Sequence, residues 1–145
     1  MFQRILIVCT GNICRSPVAA AMLQRRLPRL TVHSAGLGAL VGQPVDARAR
    51  QLAEADGLDV DAHEARQLDT GMLAEADLVL VMTDNQRQAL AKRWPEARGK
   101  TLLLGKWLSQ QQETDIPDPY RKSQDAFEHV HRLLHEATRL WADRL

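Results

Sequence analysis

The stretch "VCTGNICRSP", residues 8–17, separates the apolar run "RILIV" (4–8) from "VAAAMLQRRL" (18–27). The first run, short and rich in β-branched residues, reads as a buried strand, and the second carries good helix formers. Ser16-Pro17 predicts an N-cap followed by proline at the first helical position, and Pro28 closes the helix. A strand, a tight turn and a helix in succession open a βα unit.

The same alternation continues outward. Leu30 to His33 reads as a second strand leading into the loop "SAGLGALVGQP" (34–44). Asp46 to Asp56 reads as a helix stopped by Gly57, and a weaker helix from about Thr70 to Ala76 follows "HEARQL" (63–68). "DLVLVMT" (77–83) is a third strand, after which Asp84 is placed as the cap of a helix running to Arg93. "TLLLGKW" (101–107) is a fourth strand, and the polar loop "SQQQETDIPDPY" (109–120) leads to a long helix from Ser123 to the chain end. In that last helix Phe127, Val130, Leu133, Leu134, Ala137, Leu140 and Trp141 keep helical spacing. The pattern predicts one α/β domain over residues 1–145. It has three layers, a four-stranded parallel sheet flanked by helices, and a phosphate-binding loop after the first strand.

Composition removes several function classes. The chain has 145 residues, 45% of them hydrophobic, and a net charge of +1 with acids and bases interspersed. Nothing in that balance argues for nucleic acid or an anionic membrane. No apolar run approaches a membrane span or a signal peptide, so a cytoplasmic location is expected. Two cysteines, Cys9 and Cys14, are no disulfide framework. His131 and His135 are four apart with no third ligand nearby, and no metal or other cofactor is expected.

The turn itself carries the chemistry. Backbone N–H groups between a strand and a helix N-terminus converge on anions, and the helix dipole favours negative charge there. Gly11 is expected to supply backbone freedom that a Cβ would resist. A cysteine in this place, Cys9, is favoured as a nucleophilic thiolate, and Arg15 offers a fork of donors to a tetrahedral anion. Nucleophile, cradle and guanidinium together point to attack on phosphorus. A proton donor is then needed for the leaving oxygen. Asp118, stiffened between Pro117 and Pro119, is one candidate, and Asp115 is its rival. Other phosphate motifs do not fit. The turn has no Gly-Lys-Ser/Thr ending, and "GLGALVG" misplaces its last glycine for a dinucleotide fingerprint.

Over essentially its whole length the chain resembles the low-molecular-weight protein tyrosine phosphatases, most closely the bacterial branch associated with exopolysaccharide export. "VCTGNICRSP" is similar to the family's signature loop and "DPY" to its general-acid loop, with "AHEARQL", "VMTD", "SAGLGALVG" and "IPDPYRKS" as further likenesses. The resemblance implies that Cys9 attacks phosphorus, Arg15 binds the equatorial oxygens and Asp118 acts first as acid and then as base. It implies that Thr10, Gly11, Asn12, Ile13, Cys14 and Ser16 complete the loop, with Ser16 bonded to the thiolate. Ser34 and His63 would support Asn12; His63 read alone is a surface-loop histidine. Tyr120 would wall the cleft opposite Leu40, which reads equally as core. Animal members have an aromatic residue in the loop of Leu40 and a second tyrosine where this chain has Arg121. Cys14 resembles a second cysteine that traps oxidised Cys9; packing under the loop is the other reading.

The implied partner is a tyrosine-phosphorylated protein, such as an autophosphorylated bacterial kinase with a tyrosine-rich tail, met by a monomeric enzyme. Two other readings stay open. One is a phosphoarginine phosphatase, whose similar loop carries threonine at the place of Ile13. The other is a phosphate-binding domain without catalysis. Arsenate reduction is disfavoured, since it needs resolving cysteines beyond Cys14.

Overall fold

The computed structural model describes residues 2–109 and 114–145. Its strands are β1 (Arg4–Cys9), β2 (Thr31–Gly36), β3 (Leu78–Val81) and β4 (Thr101–Leu103). They form one parallel sheet in the order β2-β1-β3-β4. The helices are α1 (Arg15–Arg26), α2 (Ala47–Ala55), α3 (Thr70–Glu75), α4 (Asp84–Arg93) and α5 (Gln124–Ala142). The four-stranded parallel α/β sandwich expected from the sequence is the fold found.

Alternation along β1 organises both layers. Ile5, Ile7 and Cys9 face one side and join Val18, Met22, Phe127, Leu134 and Trp141 from α1 and α5. Leu6 and Val8 face the other side and join Leu73, Leu90 and Trp94. β1 is thus paired along both edges and buried on both faces, the most restrained strand of the sheet. Its carboxyl end, where the chain order reverses between β2 and β3, is where open α/β sheets bind ligands.

Four local expectations need correction. Ser16 is no N-cap: α1 begins at Arg15 after Cys14, which makes no side-chain cap. Pro17 then lies third in the helix, where its missing N–H is still one that no helical carbonyl could accept. Thr83, not Asp84, caps α4, in a reciprocal capping box with Gln86. β2 begins one residue later and runs three residues further than expected, to Gly36, because the segment 66–68 pairs beside its end: Gly36 N–H donates to the Arg66 carbonyl and Leu68 N–H to that of Gly36. β4 ends at Leu103, four residues early. The chain turns there into a 3-10 segment, Leu104–Trp107, and the Trp141 indole of α5 donates to the Leu103 and Leu104 carbonyls at 3.3 and 2.9 Å. A second 3-10 segment, Pro95–Lys100, was not anticipated. Residues 110–113 of the expected polar loop lie outside the described residues. Among those described, no helix is long and apolar enough to cross a membrane.

One glycine fits its place by size. A Cβ on Gly36 would lie 2.5 Å from the Thr10 carbonyl oxygen and 3.1 Å from the Cβ of Asn12. Gly36→Ala is therefore expected to lower unfolding stability in urea by about 1–3 kcal/mol. Gly99→Ala, whose Cβ would meet nothing within 4 Å, should stay within about 0.5 kcal/mol of the parent.

Candidate active site

The turn after β1 is shaped by where its carbonyls go. The Cys9 oxygen accepts from Leu37 N–H at 2.9 Å, Thr10 from Gly38 at 3.0 Å and Gly11 from Leu40 at 3.1 Å. The Asn12 oxygen accepts from His63 Nε2–H at 2.7 Å, and that of Ile13 from Asp46 N–H at 2.8 Å. Every one of these partners lies outside the turn. In a trans peptide the N–H of the next residue points opposite to the carbonyl, and among the described residues there are no cis bonds. Five carbonyls held outward therefore turn the N–H groups of residues 10 to 14 inward, as a nest for an anion.

Backbone inversion falls at Asn12, not at Gly11. Asn12 has φ of 60°, whereas Gly11 has no positive φ, and a Cβ there would make only ordinary contacts with Ile13 and Leu40. Left-handed backbone at a residue with a Cβ costs about 1–2 kcal/mol. Four hydrogen bonds oppose that cost. Asn12 Nδ2 donates to Ser16 Oγ at 2.7 Å and to Ser34 Oγ at 3.0 Å, its Oδ1 accepts from Arg66 N–H at 3.0 Å, and its carbonyl takes the His63 proton. At about 1 kcal/mol each they outweigh the strain. Asn12 is fully buried.

Around this nest stand the groups expected to react. Cys9 Sγ lies 2.9 Å from Ser16 Oγ. The Ser16 oxygen accepts from Asn12, and its O–H is available to donate to sulfur when Cys9 is a thiolate. Arg15 is 3% exposed; one terminal nitrogen donates to the Ile116 carbonyl at 2.8 Å and the other lies 3.9 Å from Asp118. The two candidate aspartates differ in position. Asp115 accepts from Asp84 N–H at 3.0 Å at the start of α4, whereas Asp118 lines the pocket, with its side chain 51% exposed. Ile116 pins the same segment, donating to the Met82 carbonyl at 2.8 Å.

Cys9, Arg15, Asp118, Leu40 and Tyr120 share one pocket of about 170 Å³, which Thr10, Gly11, Ile13 and Cys14 also line. Leu40 is 37% exposed and so belongs to the cleft, not the core. Ser34 and His63 stand beneath the loop as supports of Asn12. Of the residues singled out from the sequence for the site, all but Asp115 converge here.

Two supports were not singled out. Arg66 holds Asn12 through its N–H and reaches the Ser34 carbonyl with Nε at 3.1 Å. Gln86 donates through Nε2 to Thr10 Oγ1 at 3.1 Å while accepting from the Met82 and Thr83 amides. Gln86 was legible as the fourth residue of a Thr-x-x-Gln capping box. The role of Arg66 left no local signal, because it works mainly through its backbone.

A family model for the low molecular weight phosphotyrosine protein phosphatases matches residues 4–145. The chain belongs to that family. It is 50% identical over 145 residues to Wzb of Salmonella typhimurium, described as a low molecular weight protein-tyrosine-phosphatase, covering 100% of this chain and 95% of that protein. Its fold superposes on the structure of Vibrio vulnificus Wzb in complex with benzylphosphonate with a TM-score of 0.95, at 45% identity and full coverage of both chains. It also superposes on the YwlE arginine phosphatase from Geobacillus stearothermophilus, with a TM-score of 0.90, 34% identity, and coverage of 98% and 92%. The phosphatase is thus a hydrolase of the Wzb-like bacterial branch.

The second cysteine of this phosphatase, Cys14, also borders the pocket. Cys14 is buried against the apolar layer, and burial raises its thiol pKa far above the ordinary value; the charges of Asp46, Asp118 and Cys9 push the same way, and Arg15 opposes them. A raised thiol pKa keeps sulfur protonated and unreactive at neutral pH. In Cys9→Ser, Cys14 is therefore expected to resist iodoacetamide from pH 7 to pH 9 in the folded protein and to react at an ordinary rate in urea. Rapid native alkylation, read by intact mass, would contradict that assignment.

Proposed function

We propose that this phosphatase removes phosphate from phosphotyrosine in proteins by way of a phosphocysteine intermediate. One observation carries the reading: the Cys9 sulfur lies in the pocket with inward amides and the Arg15 guanidinium, while Asp118 lines the same pocket. A binding domain would need no nucleophile at that place. The single-chain origin of every group in the site supports action as a monomer. The family and the Wzb relatives support a tyrosine-phosphorylated partner, with an autophosphorylated bacterial tyrosine kinase as the proposed one, and a cytoplasmic setting.

In the first step the Cys9 sulfur forms a bond to phosphorus as the bond to the tyrosyl oxygen breaks. Asp118 gives its proton to that oxygen, so that tyrosine leaves neutral. Arg15 and the amides meet the charge on the equatorial oxygens, where preorganised donors lower the barrier. The Ser16 hydroxyl steadies the sulfur anion before attack and again as it departs. In the second step Asp118, now a carboxylate, takes a proton from water; the water oxygen bonds to phosphorus, the sulfur bond breaks and inorganic phosphate leaves. No redox partner is required, and charge and protons balance over the two steps.

A phosphoarginine substrate is the second reading, favoured by the likeness to the arginine phosphatase. Ile13, buried and lining the pocket, offers a hydrophobic wall and no hydroxyl for a guanidino nitrogen. Phosphotyrosine, with its apolar ring, is the better match to a slot walled by Ile13, Leu40 and Tyr120. Parallel kinetics on phosphotyrosine and phosphoarginine peptides separate the two.

Cys9→Ser is expected to lose turnover of aryl phosphates by at least about 10³-fold while still binding phosphate analogues. Asp118→Asn should lose about 10²- to 10³-fold in kcat, more for poor leaving groups than for p-nitrophenol. Substantial turnover by Cys9→Ser, or stoichiometric phosphotyrosine binding without phosphate release by the wild type, would overturn the proposal.

A further inference from the structure

Tyr120 is shared by two neighbouring hollows. It lines the pocket over Cys9 and also a shallow depression of about 390 Å³ that Asp46, Ala47, Arg48, Arg121, Lys122 and Phe127 line. The cations of this depression are set in place. Arg121 adopts φ of 63°, and its guanidinium carbon lies 5.2 Å from the Tyr120 ring centroid. Arg48 donates to the Lys122 carbonyl at 2.7 Å and lies 5.8 Å from the Phe127 ring centroid.

One acid, Asp46, borders the same depression against three cations, and it forms no ion pair with them. Asp46 accepts from the Arg48 amide as the cap of α2, and Asp118 accepts from the Tyr120 amide and faces Arg15. Among the described residues, none of the Arg48, Arg121 and Lys122 side chains forms an ion pair with a carboxylate. Another part of the pocket rim is different in kind: Leu40 and its neighbour Val41, which is 68% exposed, are apolar. The approach to Cys9 is therefore polarised, with three unpaired cations beyond Tyr120 and hydrocarbon in the loop of Leu40.

Resting on the phosphotyrosine reading above, the geometry points to a subsite for a second anionic side chain of the same substrate segment, bound by Arg121, Lys122 and Arg48. Its partner is a peptide bearing a carboxylate or a further phosphoryl group within three residues of the phosphotyrosine, about 10 Å of extended chain. A group that close in sequence reaches across Tyr120 from the pocket to the depression. The contacts are solvent-exposed, so they favour encounter and register more than tight binding and weaken with salt.

The test compares kcat/KM for three peptides of one sequence, with alanines, glutamates or a second phosphotyrosine beside the scissile phosphotyrosine. At low ionic strength the anionic peptides should exceed the alanine peptide by about 5- to 20-fold, falling to within about twofold in 0.5 M NaCl. Preference for both anionic peptides assigns the subsite to negative charge in general; preference for the doubly phosphorylated peptide alone assigns it to a phosphoryl group. Arg121→Gln combined with Lys122→Gln should erase the preference while p-nitrophenyl phosphate hydrolysis stays within about twofold of wild type. Lys122→Glu, as a second variant, should turn the preference toward a lysine-flanked peptide. Equal rates on all three peptides with wild type, or an intact preference in the double variant, overturns the subsite. Failure of wild type to hydrolyse p-nitrophenyl phosphate would instead strike the phosphatase mechanism itself.

Discussion

Everything chemical in this protein depends on five carbonyl oxygens being held away from one pocket. Left alone, the peptide groups after β1 would orient at random or close a helical turn, and their amide hydrogens would not converge. Partners from the end of β2, the cap of α2 and the loop of His63 take the oxygens of residues 9 to 13, and planarity does the rest. Asn12 is where the turn would spring back. Its left-handed backbone is restrained by a side chain that bonds to α1, to β2 and to the Arg66 amide at once. The nest is thus a property of the tertiary structure and not of the ten residues that form it.

The same frame separates the roles of its side chains. Arg15 is buried, and a buried cation is tolerated only with its donors engaged. The Ile116 carbonyl accepts one of those donors and the Asp118 carboxylate faces the guanidinium at 3.9 Å as its ion-pair partner, contacts that tie the segment carrying Asp118 to the pocket. The proposed acid therefore lies beside the proposed anion-binding residue, so that one guanidinium would link the two proposed tasks. Cys9 and Cys14 illustrate a similar division. Both sulfurs border the same apolar layer and the same pocket, but only that of Cys9 is met by the hydroxyl of Ser16.

Much of this was legible before any coordinates. Alternation of β-branched runs with helical patterns located all four strands, because buried parallel strands are continuous hydrophobic runs. Cys9, Arg15 and the stiff Asp118 segment stood out because their chemistry is local to short motifs. Legibility failed where long-range contacts decide. Gly11 seemed the residue for unusual backbone, yet the inversion sits at Asn12, where distant partners compensate a Cβ. Ser16 resembled a helix cap, but its Oγ contacts the Cys9 sulfur and accepts from Asn12. β4 was overextended because the indole that takes its last carbonyls comes from α5, far along the chain. Arg66 acts through a backbone N–H, which every residue but proline possesses, so side-chain chemistry could not reveal it.

The dispersal of the loop's supports has a thermodynamic corollary. Ser34, His63, Arg66 and Gln86 come from well-separated stretches, so the nest exists only when the whole molecule has assembled. Inorganic phosphate, the expected product, can then bind only the native state and must stabilise it by mass action, by about 2.7 kcal/mol at a hundred times its Kd. Thermal melting in phosphate buffer would overstate the intrinsic stability of the chain, and the melting point would climb with the logarithm of phosphate concentration. If the proposed product binds there, a common buffer ion becomes part of what holds the fold.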